Sequence, residues 1–401
     1  IYRSPGMRHD LPQFERAVQN GAVLTSEMEA FFEVCPCTVI GVTGSDGKST
    51  TSTVISRMLE NAGYRTWLGG NIGMPLLDKV PEMEPDDYVV VELSSFQLMT
   101  MRKSPHISVI TNVTPNHLDV HKDMDEYIEA KQRIFSFRTD GGRTVLNWDN
   151  QVTRNYALSA KGAIFFFSSR QTHEEICEAA GQLGITDFGR VSTVTLRNGV
   201  ITVNKGVKHG PERVVDISDI KIPGMHNVEN YMAAIAAVEG IVPCSTVVET
   251  ARTFEGVEHR IEFVGEYDGV RYYNDSIASS PTRTIAGLRS FPQKVILIAG
   301  GYDKHLSYDP LAQVMPSHVK ALVLMGATKG KIRASVEKLP ECADIPICEA
   351  NTLEEAVLSA KSMASAGDIV LFSPASASFD MFVNFEQRGR AFKDIVRKFA
   401  G

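Results

Sequence analysis

Basic charge is what this chain lacks most. Lysine and arginine number 41 against 48 aspartates and glutamates, a formal net charge of −7, and no basic run interrupts that balance. A dedicated nucleic-acid binder needs a concentrated positive face, so that class is set aside. Long apolar runs are missing too. No stretch approaches the roughly 20 residues that span a bilayer, and the first residues carry no signal-peptide pattern. No membrane partner is expected, and the cytoplasm is. Cysteine is sparse: Cys35, Cys37, Cys177, Cys244, Cys342 and Cys348 show no zinc-like spacing and suit reduced thiols. Cys35-Pro-Cys37 has the look of a metal pair but also fits the start of an apolar strand.

What is present describes a globular protein, 43% hydrophobic and 22% charged. At 401 residues the chain is long for one core, and two or three domains are expected. Ile1-Tyr-Arg-Ser-Pro-Gly reads as a strand entering a turn with nothing before it to pair with. Residues 1–33, with a Ser26-x-x-Glu29 capping box before a helix, are expected to be the remnant of an N-terminal Rossmann-like module. From 34 to 256 apolar strands alternate with helices, which predicts a doubly wound α/β domain. Its strands are expected at Tyr88–Leu93, Ile107–Val113, Thr144–Leu146 and Ala163–Phe167, with a hairpin turning at Asn198-Gly199 and an alanine-rich helix over 228–238. A second α/β series fills 257–401, with strands at Lys294–Ala299, Ala321–Met325 and Asp368–Phe372. In such sheets ligands gather beyond the carboxyl ends of the strands.

The most informative stretch is Gly41-Val-Thr-Gly-Ser-Asp-Gly-Lys-Ser-Thr50. An apolar strand runs into a glycine-rich loop, and a helix opens at Lys48. Backbone N–H groups of Gly44, Ser45, Asp46 and Gly47 then converge on one point, to which the helix N-terminus, Lys48 and the hydroxyls of Ser49 and Thr50 are added. That is a triphosphate cradle, with Ser49 placed to reach the nucleotide's magnesium. It is a variant form, because Val42 stands where the strict P-loop pattern has its first glycine.

Three further residues draw attention. Glu92 ends an apolar strand, where an unpaired carboxylate is costly, so it either meets the nucleotide's magnesium or caps the following loop. His117 lies just past the end of another strand, beside the phosphate site; His121 reads as a surface residue. Lys131 lies on an amphipathic helix and by spacing alone reads as a solvated lysine.

With these motifs in view, the chain resembles the Mur ligase family, ATP-dependent enzymes that add amino acids to the peptidoglycan precursor. The likeness runs from Ser4-Pro-Gly through the phosphate loop, Gly69-Gly-Asn71-Ile-Gly-Met-Pro and Glu92-Leu-Ser-Ser-Phe-Gln-Leu. It continues through Asn112-Val-Thr-x-x-His117-x-Asp, Ala130-Lys131-x-Arg-Ile, His226-Asn-x-x-Asn230 and Glu258-His-Arg260. Beyond these stand Asn274-Asp-Ser276, Ala299-Gly-Gly-x-x-Lys304, Ser373-Pro-Ala-x-Ala-Ser378-Phe-Asp and Asn384-Phe-Glu-Gln-Arg-Gly. Glu-Leu-Ser-Ser-Phe-Gln and the C-terminal block are similar to the members that join D-glutamate to UDP-N-acetylmuramoyl-L-alanine.

The resemblance implies an acyl-phosphate route and a set of roles. Residues 1–33 would be what is left of a UDP-binding domain, 34–256 the ATP-binding domain and 257–401 the amino-acid-binding domain. Two magnesium ions are implied, one on Ser49 and Glu92, the other on Glu92, His117 and Lys131, with Lys131 carbamylated so that its charge changes sign. Asn227, Asn230, Arg260 and Asp275 match nucleotide contacts, and Asn71 a muramoyl-alanine contact. Ser279, Lys304, Ser378, Phe379 and Phe385 match the D-glutamate pocket, although Phe385 also reads as core and Asn230 as helix surface. One departure stands out: the family pattern often continues Lys-Ala-Thr after Asn274-Asp-Ser276, whereas here Ile277-Ala-Ser279 follows, and a cation is lost. The implied protein is a monomer acting on small molecules. Two rival readings remain: a folylpolyglutamate synthase-like ligase, and a P-loop nucleotide-binding protein without ligase chemistry.

Overall fold

The computed structural model describes residues 1–4, 7–71, 75–115, 121–139, 141–206 and 210–400. The chain divides into two compact units, Ile1–Phe254 and Glu255–Gly401. None of the described helices is long and apolar enough to cross a membrane, and the six cysteines are free thiols.

The first unit is built on β1 (Thr38–Thr43), β2 (Thr66–Gly70), β3 (Tyr88–Glu92), β4 (Ile107–Ile110), β5 (Arg143–Asn147), β6 (Ala163–Ser168), β7 (Val191–Arg197), β8 (Val200–Asn204) and β9 (Glu212–Asp216). They form one sheet in the order β2-β3-β1-β4-β5-β6-β7-β8-β9. Its members from β2 through β7 lie parallel, and β8 and β9 close it as an antiparallel ribbon. Asn198 and Gly199 make the β7–β8 turn at φ values of 50° and 77°, as the Asn-Gly pair predicts. β1 has β3 on one side and β4 on the other, so the chain reverses its direction of winding there. A ligand crevice belongs at the carboxyl end of such a strand.

The doubly wound expectation holds, with β3 ending one residue and β4 three residues before the predicted bounds. β4 stops at Ile110 because Thr111 and Asn112 turn their side chains to the neighbouring glycine-rich loop. The helix Lys48–Asn61 buries Val54, Ile55, Met58 and Leu59, ends at Ala62, and passes to Gly63 at φ 90°. It packs on the alanine-rich helix Met225–Val238, which is buried from Tyr231 through Val238. The opposite face of the sheet carries a core of Val89, Val91, Leu146, Trp148 and Phe166.

The second unit holds β10 (Glu262–Tyr267), β11 (Val270–Asn274), β12 (Val295–Gly300), β13 (Val319–Met325), β14 (Ile347–Glu349) and β15 (Ile369–Phe372). Their order is β10-β11-β15-β12-β13-β14, parallel except for the β10–β11 hairpin. Separate apolar clusters cover its two faces, one around Leu297, Leu322 and Leu371 and the other around Ile298, Val323 and Phe372.

At the carboxyl end of β11 a carboxylate is built into this unit. Asp275 is buried; Ser373 donates to its Oδ2 at 2.7 Å and the Ile261 N–H to its Oδ1 at 3.3 Å. Burial pushes its carboxyl up to about 7, against the pull of these hydrogen bonds and of the Arg260 charge. The folded unit then keeps a proton that the unfolded chain has already released, so this group costs stability as pH rises from about 4 to 7. Urea unfolding at stepped pH tests this. Relative to the parent chain, Asp275→Asn should gain stability across that interval by up to about 1.4 kcal/mol per pH unit. Parallel profiles for the two proteins would show that Asp275 is ionised in the fold.

Candidate active site

The loop between β1 and its helix is shaped by what its glycines omit. A Cβ on Gly44, at φ 152°, would collide with the Thr111 hydroxyl, and one on Gly47, at φ 80°, with the Asn230 side-chain oxygen. The segment after β4 grips the loop from the side. Ser45 N donates to Asn112 O at 2.9 Å, Asp46 N to Asn112 Oδ1 at 2.9 Å, and Thr111 Oγ1 to Asp46 O at 2.6 Å. Ser45 Oγ lies 2.9 Å from Thr114 N, Thr114 O and the Tyr127 hydroxyl. Lys48 Nζ donates to Gly44 O at 3.0 Å and Ser45 O at 2.9 Å, and Ser49 and Thr50 are buried in the first helical turn. Thr111, Asn112 and Tyr127 were not singled out from sequence, though the Asn-Val-Thr motif held one of them.

Strand register brings Glu92 to this loop, since Val42 of β1 pairs with Glu92 of β3 and Glu92 with Gly70 of β2. Its neighbour Asn71 donates to Glu92 Oε1 at 2.8 Å. Glu92 Oε2 is buried and has no hydrogen-bond partner among the described residues. An anionic oxygen left unpaired in a dry site calls for a cation, and magnesium takes hard oxygen ligands.

Lys131 corrects its reading as a solvated residue. The helix Met124–Ser136 turns Tyr127, Ala130, Lys131, Ile134 and Phe135 inward, and Lys131 is 1% exposed. Its Nζ donates to Gly44 O at 2.8 Å and sits 4.7 Å from the Tyr127 ring centroid. Burial, and then the charge on Lys48, hold its amine well below the usual lysine range. His117 lies outside the described residues. His121 is not a surface residue: it is 2% exposed, stacked on Phe96 with ring centroids 5.4 Å apart, and sits 2.9 Å from Ser95 Oγ and 3.4 Å from Glu126 Oε2. Its Nε2 has a hydrogen-bond partner in Ser95, whereas the buried Nδ1 has none among the described residues, and burial lowers the imidazole's affinity for a proton. Among the described residues no trio of histidine, cysteine and carboxylate side chains is grouped as a metal site.

Asn230 is buried too, which removes its helix-surface reading. It accepts from Thr51 Oγ1 at 3.3 Å and donates to Asn227 Oδ1 at 3.2 Å, while Asn227 donates to Pro223 O at 2.7 Å.

In the second unit, a cleft of about 330 Å³ opens at the carboxyl ends of the strands, lined by Ser279, Lys304, Ser378, Phe379, Asn384, Phe385 and Glu386. All five candidate residues of that unit's pocket meet in it, and Phe385 lines it instead of filling the core. Arg260 and Asp275 are not among its walls; Arg260 stands in a tight turn between His259 and Ile261, at φ 64° and 47°. Burial, with Arg283 and Arg388 nearby, lowers the Lys304 amine. Arg388 was missed from sequence. Its buried guanidinium donates to Ser276 O at 2.8 Å, Ala377 O at 2.9 Å and Ser376 O at 3.1 Å, and so fixes two of the loops that form the cleft.

Residues 42–238 match the Mur ligase middle domain, and residues 259–376 match the Mur ligase, glutamate ligase domain. The chain is similar to the UDP-N-acetylmuramoylalanine–D-glutamate ligase of Acetivibrio thermocellus, at 52% identity over 99% of this chain and 82% of that protein. Its likeness to the protein of the same name in Clostridium kluyveri is 50%, with the same coverage. Among solved structures, the UDP-N-acetylmuramate-alanine ligase of Thermotoga maritima shares the fold at a TM-score of 0.60 and 19% identity, over 98% of this chain and 84% of that one. Half of its residues coincide with those of the two ligases along nearly its whole length, and the chain belongs to the Mur ligase family.

Proposed function

We propose that the chain joins D-glutamate to UDP-N-acetylmuramoyl-L-alanine at the expense of ATP, in peptidoglycan precursor synthesis, as a cytoplasmic monomer. The observation that carries this reading is the cleft shared by Ser279, Lys304, Ser378, Phe379 and Phe385. A nucleotide-binding protein without ligase chemistry has no use for a second, cationic site. The relatives' printed name supplies the substrate pair. In this reading the muramoyl-alanine carboxylate attacks the γ-phosphorus of ATP, the bond to ADP breaks, and an acyl phosphate forms. The D-glutamate amine then adds to the acyl carbon, the bond to phosphate breaks, and the amide is left after loss of the amine's proton.

The chain's own groups serve the first step by lowering charge repulsion between two anions. Lys48 and the N–H groups of Gly47 to Ser49, at the start of the helix, stabilise the phosphoryl oxygens. Asn71, fixed on Glu92, is assigned to the muramoyl-alanine arm, and Asn227 with Asn230, whose side-chain oxygen abuts Gly47, to the nucleoside. Ser49, Glu92, His117 and a carbamylated Lys131 would hold magnesium, which when bound supplies charge neutralisation for phosphoryl transfer. Carbamylation of Lys131 needs a neutral amine, and the buried site favours one.

Phosphate release should therefore depend on both UDP-N-acetylmuramoyl-L-alanine and D-glutamate, with L-lysine, L-alanine and glycine inactive. Lys48→Ala should lower it by about 100-fold or more at an unchanged urea midpoint. Normal turnover in that variant would remove the phosphate loop from the reaction.

Lys131→Ala should lose most activity, and acetate should restore part of it by placing a carboxylate where the carbamate stood. Rescue by small amines, or full activity without any addition, would mean that the lysine works as a cation.

A further inference from the structure

The cleft of the second unit holds polar groups that the fold itself does not use. Lys304 and Glu386 both line it, and among the described residues neither side chain makes a hydrogen bond or an ion pair, with the other or with anything else. Other acids of this unit are committed. Glu258 and Glu262 pair with Lys393 at 2.7 and 2.9 Å, Asp303 pairs with Lys331, and Asp380 Oδ2 accepts from Ala327 N at 3.0 Å. Ser378 adds a third open group. It is 2% exposed, lines the cleft, and its hydroxyl has no hydrogen-bond partner among the described residues. A buried hydroxyl is costly in that state unless a ligand meets it.

Glu386 owes its position to the helix Phe385–Arg397. Asn384 caps that helix, accepting from Gln387 N at 2.8 Å, and Glu386 stands in the first turn. A first-turn glutamate ordinarily faces water and complements the helix dipole. This one is half-buried in the wall of a cleft read as the seat of an acidic amino acid. An anion there opposes both carboxylates of such a ligand and suits only its third charge, the ammonium. Lys304 then meets one carboxylate, the hydroxyls of Ser279 and Ser378 donate to the other, and Glu386 accepts from the ammonium. Arg388, whose guanidinium donates to the carbonyls of Ser276, Ser376 and Ala377, offsets the negative charge that Glu386 brings.

We propose that Glu386 binds the ammonium of the amino-acid substrate, which makes the cleft a reader of zwitterions and sets it against dicarboxylates that lack an amine. This rests on the D-glutamate reading above, and selection works here by repulsion as much as by attraction.

The test is steady-state phosphate release by the full chain, with glutarate, the same dicarboxylate without its amine, as a competitor of D-glutamate. Glu386→Gln keeps the shape of the side chain and removes its charge. It should raise the KM for D-glutamate by about tenfold or more, as the loss of a charged hydrogen bond does, and leave the KM for ATP within about twofold. Glutarate should inhibit this variant at least as well as it inhibits the parent. Lys304→Ala, which removes a partner that both ligands share, should weaken both. A D-glutamate KM unchanged in Glu386→Gln would overturn the proposal, and so would a parallel weakening of D-glutamate and glutarate, the mark of a merely structural role. Absence of D-glutamate-dependent release in the parent chain would sink the functional reading itself.

Discussion

Two lysine nitrogens converge on one carbonyl oxygen, that of Gly44: Lys48 at 3.0 Å and Lys131 at 2.8 Å. Two full positive charges so placed, one of them out of water, repel strongly. Burial first, and then that crowding, depress the basicity of Lys131, and the rest of the site is arranged around it. Tyr127 lies beneath the lysine and ties to Ser45, while Thr111 and Asn112 hold the loop so that it cannot relax away from either amine. The arrangement is costly in an isolated protein and becomes reasonable where anions are bound or formed.

The second unit solves the opposite problem. On the proposed reading, its cleft would admit a doubly acidic ligand without leaving a bare cation buried in the meantime. Arg388 is kept satisfied by backbone carbonyls, and Lys304 stays partly in water. Both units place their polar groups at the carboxyl edge of a mostly parallel sheet, where loops are free to vary while the strands beneath keep the core.

Much of this was legible. Apolar runs such as Tyr88–Glu92 and Val319–Met325 announce buried parallel strands, and Gly-Lys-Ser after one of them announces the phosphate loop. The sequence also held a signal that spacing arguments passed over. Lys131 lies four residues after Tyr127 and three before Ile134, on the helix's apolar stripe, and Arg388 shares a stripe with Phe392 and Val396. A cation on such a stripe is either an error of reading or a built-in group. His121 is different. Its burial depends on Ser95 and Phe96, more than 20 residues away in the chain, and no local pattern encodes that meeting.

The buried guanidinium of Arg388 has a consequence for how the second unit comes into being. It joins a turn 112 residues before it to a loop 11 or 12 residues before it. The cleft therefore has no local version. A chain that has formed only its helices and the β10–β11 hairpin holds Ser279 and Ser378 on separate, unconnected segments, and contacts of such long separation are the slow ones to close. Capture of an acidic amino acid would then report the completion of folding in this unit, and no partial structure could mimic it.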